Sequence, residues 1–178
     1  SYDKDKFIFN GNDDELYLFL KEKYKHLEEL GEVYYSDKFK ERKVYNSPKI
    51  TAGINETDNN YLEFNFNIED ISPSEYKQIL EAVRNKRKYY KLKNNSFVNL
   101  EEKEINDFLE LVDSIDPKNK DGNIKLSKNK AVIVSNYLKE KELSFVKGKE
   151  IIDDISKKII NIDKVNYELP KELKAELR

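Results

Sequence analysis

The sequence predicts an α+β fold: a mostly antiparallel sheet of about five to six strands with packed helices, followed by a helical C-terminal part. Three observations carry this expectation. Tyr61-Leu62-Glu63-Phe64-Asn65-Phe66-Asn67-Ile68 alternates apolar and polar residues, which gives a strand one dry face and one wet face. Tyr76, Ile79, Leu80 and Val83 recur at helical spacing, so a helix follows that strand. Beyond Ser127 two further helical patterns follow, Val134 with Leu138 and then Ile152, Ile155 and Ile159. Hydrophobic residues make up 38% of the 178, no more than the charged ones, but 12 Tyr and 9 Phe supply enough apolar area for a folded core.

The elements follow in order. Phe7-Ile8-Phe9 before Asn10-Gly11 reads as a short strand and turn. Asp13 and Asp14 offer a cap and an acidic first turn to a helix carrying Leu16, Phe19, Leu20, Leu27 and Leu30, stopped by Gly31. Val33, Tyr35 and Phe39 share one face of the next predicted strand, and Ile50, Ala52 and Ile54 one face of another. Thr57-Asp58-Asn59-Asn60 links that strand to Tyr61–Ile68 as a hairpin turn. Ser72-Pro73-Ser74-Glu75 predicts a helix start, with Ser72 as cap, Pro73 first in the helix and Glu75 closing a capping box. Residues 88–99 read as a second hairpin turning at Asn94-Asn95, and 101–112 as a helix with Ile105, Phe108, Leu109 and Val112 inward. Asp116–Asn123 is the candidate internal boundary. Two helices follow near 127–141 and 149–160, carrying Val134 with Leu138, and Ile152, Ile155 and Ile159. Residues 161–168 read as a linker, and Pro170 opens a further helix with Leu173 and Leu177 on one edge.

Composition excludes several kinds of chemistry within this chain. Without cysteine there is no disulfide, thiol nucleophile or Cys-based zinc site. His26 is the single histidine, so neither a histidine metal cluster nor a Ser-His-Asp triad can be built. It lies among charged helical residues and reads as a surface side chain. Glycines stand at 11, 31, 53, 122 and 148, and none belongs to a phosphate-binding loop. Asp13-Asp14-Glu15-Leu16 superficially resembles an ATPase acidic box but precedes a helix rather than following a buried strand. The acid clusters 101–104, 153–154 and 28–29 place neighbours on different helix faces, as a solvated surface does. No catalytic residue, metal ligand or bound cofactor is therefore expected here. The charged start 1–6 is unlike a signal peptide, and no apolar run approaches the roughly 20 residues that span a bilayer, so cytoplasm is the default compartment, with no membrane partner.

One cluster invites a binding role: Arg84-Asn85-Lys86-Arg87-Lys88-Tyr89-Tyr90-Lys91-Leu92-Lys93. Cations bind phosphates and interleaved aromatics stack on sugars or bases. With Tyr90 and Leu92 inward, Tyr89, Lys91 and Lys93 are expected on an open face, continuing Lys86, Arg87 and Lys88 as a duplex-DNA contact. The plainer alternative is a charged edge and a helix end complemented by cations. Lys38, Lys40, Arg42 and Lys43 form a weaker patch interrupted by Glu41. A net charge of −2 gives the whole chain no pull toward nucleic acid, which favours a competing reading as a pure protein-interaction module.

Three segments together resemble one family: 31–39 (Gly-Glu-Val-Tyr-Tyr-Ser-Asp-Lys-Phe), the Tyr89–Leu100 hairpin, and Leu169-Pro170 followed by Leu173, Leu177 and Arg178. The chain resembles the helicase-associated domain that precedes the ATPase core of bacterial Swi/Snf-family proteins. Relatives usually carry glycine at the place of Asn95, and continue after Leu-Arg into Pro-Tyr-Gln, whose glutamine helps read adenine. The resemblance implies a non-catalytic accessory domain over 1–160, with 161–178 as linker and start of the ATPase domain. Leu169, Pro170, Leu173, Leu177 and Arg178 would then form the interdomain connection. It implies ATP and Mg in the following core, and that core as first partner. Duplex DNA or a protein of the transcription or repair machinery would be further partners, near the bacterial nucleoid. The unfinished last helix and the lack of any Met fit the expectation of a piece of a longer protein.

Overall fold

The computed structural model describes residues 2–3, 6–32, 34, 36–57 and 61–162. The chain divides into two compact units, 1–52 with 65–124, and 53–64 with 125–178. The connection segment Leu169–Arg178, the turn residues 58–60 and the strand positions Val33 and Tyr35 lie outside the described residues.

The first unit opens with a two-residue antiparallel ribbon, β1 (Tyr2–Asp3) and β2 (Lys6–Phe7); Ile8 and Phe9, expected in the strand, lie beyond it. Helix α1 (Asp13–Leu18) is capped by Asn12 rather than by Asp13. The Glu15 amide donates to Asn12 Oδ1 and the Asn12 amide to Glu15 Oε2, both at 2.9 Å, a reciprocal box that leaves the two aspartates for other partners. A π-helical stretch (Phe19–Lys23) joins α1 to α2 (Tyr24–Leu30). Its wider turns shift the phase of the apolar stripe. Leu16 and Tyr17 are buried, whereas Leu27 and Leu30 from the same expected stripe are exposed, Leu30 at 85%.

Phe39, expected in a strand, instead sits in the short helix α3 (Asp37–Lys40) behind Ser36 and the acid Asp37, a helix-start pairing. Strand β3 (Val44–Tyr45) then pairs in parallel with β7 (Phe97–Asn99), which pairs antiparallel with β6 (Tyr89–Lys91). The hairpin turn is one residue longer than expected. The Leu92 amide meets the Ser96 carbonyl at 2.8 Å, leaving Lys93-Asn94-Asn95 as the loop with Asn95 at φ 64°. This is the three-residue hairpin whose last residue is left-handed, a conformation asparagine tolerates.

Strands β4 (Ile50–Glu56) and β5 (Tyr61–Ile68) alternate as expected, with Ile50, Ala52, Ile54, Leu62, Phe64, Phe66 and Ile68 buried. They lie inside a four-stranded sheet of order β8-β5-β4-β9, where β8 is Asn123–Ser127 and β9 Val146–Lys147. The fold is thus α+β and mostly antiparallel, but the strands are shared between a sheet of three and a sheet of four. The chain leaves the larger sheet after Ile68 through Asp70 at φ 62° and enters a helix, so the next strands build a separate sheet. Both β8 and β9 lie in the part expected to be helical only.

Pro73–Glu75 forms a 3-10 turn ahead of α4 (Tyr76–Arg84). The expected capping box is absent: Ser72 Oγ meets Ser74 Oγ at 2.9 Å, and Glu75 is buried, accepting the Lys93 amide at 2.9 Å. Holding the hairpin turn outcompetes capping at that carboxylate. Tyr76, Ile79, Leu80 and Val83 are buried as their spacing demands, each aliphatic contributing about 1.5–3 kcal/mol. Phe66 stacks on Tyr76 at 5.0 Å and meets the edge of Phe108 at 5.4 Å. Phe108 belongs to α5 (Lys103–Ile115), whose Ile105, Leu109 and Val112 are also buried.

In the second unit α6 (Ala131–Glu140) packs against α7 (Lys149–Ile162). Val134, Leu138, Ile152 and Ile155 are buried, and Ile159 half-buried. Asp153 accepts from Ser135 Oγ at 2.5 Å and from Lys139 Nζ at 2.9 Å, a polar tie between these helices.

Candidate nucleic-acid interface

The basic cluster lies in the first unit, and its backbone is closely specified. Helix α4 ends in two reversed hydrogen bonds, Lys86 N to Val83 O at 2.8 Å and Arg87 N to Ala82 O at 3.0 Å. These form a Schellman motif with Lys86 in the left-handed position, at φ 53°, where glycine is usual. The chain then runs directly into β6. Lys86, Arg87 and Lys88 are thereby held exposed on a fixed loop, and Lys93 is exposed at the hairpin turn.

The rest of the cluster is divided among structural partners. Arg84 turns to α5: its Nε donates to Asp113 Oδ1 at 3.0 Å and its Nη2 to the Pro117 carbonyl at 3.2 Å. Tyr89 and Lys91 do not stand on an open face, because α1 covers it. Tyr89 stacks on Tyr17 at 4.4 Å and meets Phe97 edge-on at 5.2 Å. The Tyr89 hydroxyl donates to Asp14 Oδ1 and Lys91 Nζ to Asp13 Oδ1, each at 2.6 Å. Burial, then the Asp14 hydrogen bond and charge, push the Tyr89 hydroxyl far above the usual tyrosine range, so it stays protonated and remains a donor.

Tyr17 anchors the cover. It is 2% exposed, and its hydroxyl donates to Asn99 Oδ1 at 2.9 Å, an oxygen that also accepts the Glu101 amide at 3.1 Å. Leu16, Tyr17 and Phe97 form a small core, with Leu20, Val44 and Tyr89 packed on it. The Lys21 ammonium pairs with Glu101 at 2.9 Å; that hydrogen bond raises the lysine and lowers the glutamate from their ordinary ranges. Sequence reasoning missed these partners, since Asp13 and Asp14 meet β6 across 78 and 75 residues of chain and no local pattern announces it.

The weaker patch reaches the same hairpin through its backbone. Lys43 N donates to Ser96 Oγ at 3.2 Å and Phe97 N to the Lys43 carbonyl at 2.8 Å. Among the described residues, no group of three or more His, Cys, Asp or Glu is placed to hold a metal ion. No helix there is long and apolar enough to cross a membrane.

A family model described as bacterial SNF2 helicase associated matches residues 1–170. The chain belongs to that family. No curated protein and no solved structure matches it. In this SNF2 helicase-associated domain the match spans the whole basic cluster and its α1 cover.

Proposed function

We propose that the chain is a non-catalytic accessory domain of a bacterial SNF2-family ATPase, and that it modulates the ATPase's hold on duplex DNA. The observation that carries this is the exposed run Lys86-Arg87-Lys88, with Lys93 beyond it, held on a loop whose backbone is fixed at both ends. Adjacent cations on a rigid mount meet backbone phosphates with little ordering cost. ATP and Mg belong, in this reading, to the ATPase core that is its partner in cis. The test is the affinity of the full-length protein for a short labelled duplex, measured by fluorescence anisotropy at several salt concentrations. Replacing Lys86, Arg87 and Lys88 together by Glu is expected to weaken binding and to lower the slope of log K against log salt by about 2–3. Unchanged affinity and slope would remove the DNA contact from this loop.

A second reading has its own observation. Ile8, Phe9, Leu18 and Phe19 form the apolar part of a groove beside α1 that Asn10, Glu15 and Lys23 also line, and Leu18 is 45% exposed. An apolar surface of this kind suits a protein partner, such as a component of transcription or repair. Loss of ATPase stimulation in Leu18→Asp, with DNA affinity intact, would favour that reading.

A further inference from the structure

The contacts of α1 with the hairpin point to a second, covered part of the same interface, and this inference rests on the DNA reading above. We propose that Tyr89 and Lys91 form a phosphodiester-binding strip whose occupants in this state are the carboxylates of Asp13 and Asp14, so that α1 restrains DNA binding from within the chain. Tyr89 and Lys91 alternate on one face of β6, about 6.6 Å apart along the strand. They present a neutral hydroxyl donor and an ammonium, the donor types that hold phosphate oxygens. Each is matched one to one by a carboxylate oxygen at 2.6 Å. The strip continues the exposed Lys86-Arg87-Lys88 run without a break in sequence, so a backbone lying on that run is led toward it.

The cover can yield without unfolding α1. Leu16 and Tyr17 hold the helix to the core, and the Asn12–Glu15 box holds its first turn. Neither anchor uses Asp13 or Asp14. The Asp13 side chain is 52% exposed, so both lysine and carboxylate can exchange partners by side-chain rotation alone. An exposed ion pair of this kind is weak enough for a phosphate backbone, with its denser charge, to displace. Phosphodiester is favoured over an acidic peptide because Lys86, Arg87, Lys88 and Lys93 stand exposed on either side of the strip in sequence, and a regular line of phosphates meets several cations together.

The test is Asp13→Asn with Asp14→Asn in the full-length protein, titrated with the same labelled duplex. These substitutions keep the side-chain shape, and a thermal melt checks the fold. We expect affinity to rise about three- to tenfold and the salt slope to steepen by about 1. Adding Lys91→Gln is expected to cancel that gain. A gain that survives Lys91→Gln would reduce the effect to net charge and overturn the strip. Unchanged affinity in Asp13→Asn with Asp14→Asn, while the Lys86, Arg87 and Lys88 substitutions still weaken binding, would overturn the strip and leave the DNA reading standing. Failure of both sets would remove both. Displacement of the duplex by polyglutamate as readily as by unlabelled duplex would assign the strip to an acidic protein partner instead.

Discussion

Lys86 occupies a position where glycine is the easier choice. A left-handed residue with a Cβ costs roughly 1 kcal/mol, and the Schellman motif fixes the site firmly enough to impose it. Lys86→Gly is therefore expected to raise stability by up to about 1 kcal/mol in a denaturant titration, while weakening duplex binding. A variant both less stable and unimpaired in binding would show that the lysine serves the fold. Gly122 is the opposite case. It sits at φ 79°, its carbonyl accepts the Phe66 amide at 2.8 Å, and a Cβ there would collide with the Phe66 carbonyl oxygen. Strain and collision act together, so Gly122→Ala is expected to destabilise by about 2–4 kcal/mol, read from the shift of the melting midpoint. Asn95 is milder, since its left-handed turn position is one that asparagine accepts.

At the scale of elements, the joints between helices carry the polar detail. The tie between α6 and α7 sets a pH dependence. Burial favours the neutral form of Asp153, but the Ser135 hydroxyl and the Lys139 ammonium outweigh it and hold the carboxyl below the usual aspartate range. A depressed folded value means that the stabilisation is present above the unfolded pKa and fades as pH falls through the folded one. Asp153→Asn should accordingly be less stable than the parent at neutral pH, and the two should converge between about pH 5 and 2. Parallel stability curves over that range would show that the carboxylate's charge is not involved. The π-helical stretch between α1 and α2 bears on which side chains face solvent. By shifting the helical phase it keeps Tyr17 under Tyr89 while exposing Leu27 and Leu30.

For the whole molecule, charge is a local property. A net charge of −2 gives no general attraction to nucleic acid, so the proposed DNA contact rests on a local group of cations, those exposed between α4 and β6. It must also be salt-sensitive in proportion to their number. Each unit has its own mix of buried residues. In one, Phe66, Tyr76 and Phe108 pack as aromatics; in the other, aliphatic residues of α6 and α7 predominate.

What the sequence determined by itself is whatever depends on near neighbours along the chain. The alternation of β4 and β5, the inward stripes of α4, α5 and α6, and the hairpin around Asn95 follow from periodicities of two and 3.6 and from turn chemistry. The cluster from Arg84 to Lys93 was visible for the same reason. Tertiary structure decided how that cluster is used. Arg84 went to Asp113, Glu75 left its cap for the Lys93 amide, and Asp13 and Asp14, in the acidic first turn of α1 as expected, yielded the cap to Asn12 and took Lys91 and Tyr89 as partners. It also assigned the short strands β3, β8 and β9, whose few residues carry too little pattern to be read alone. A polar side chain has several partners of similar energy, and local sequence does not rank them. Only the packing of distant segments, which brings α1 over β6, selects one.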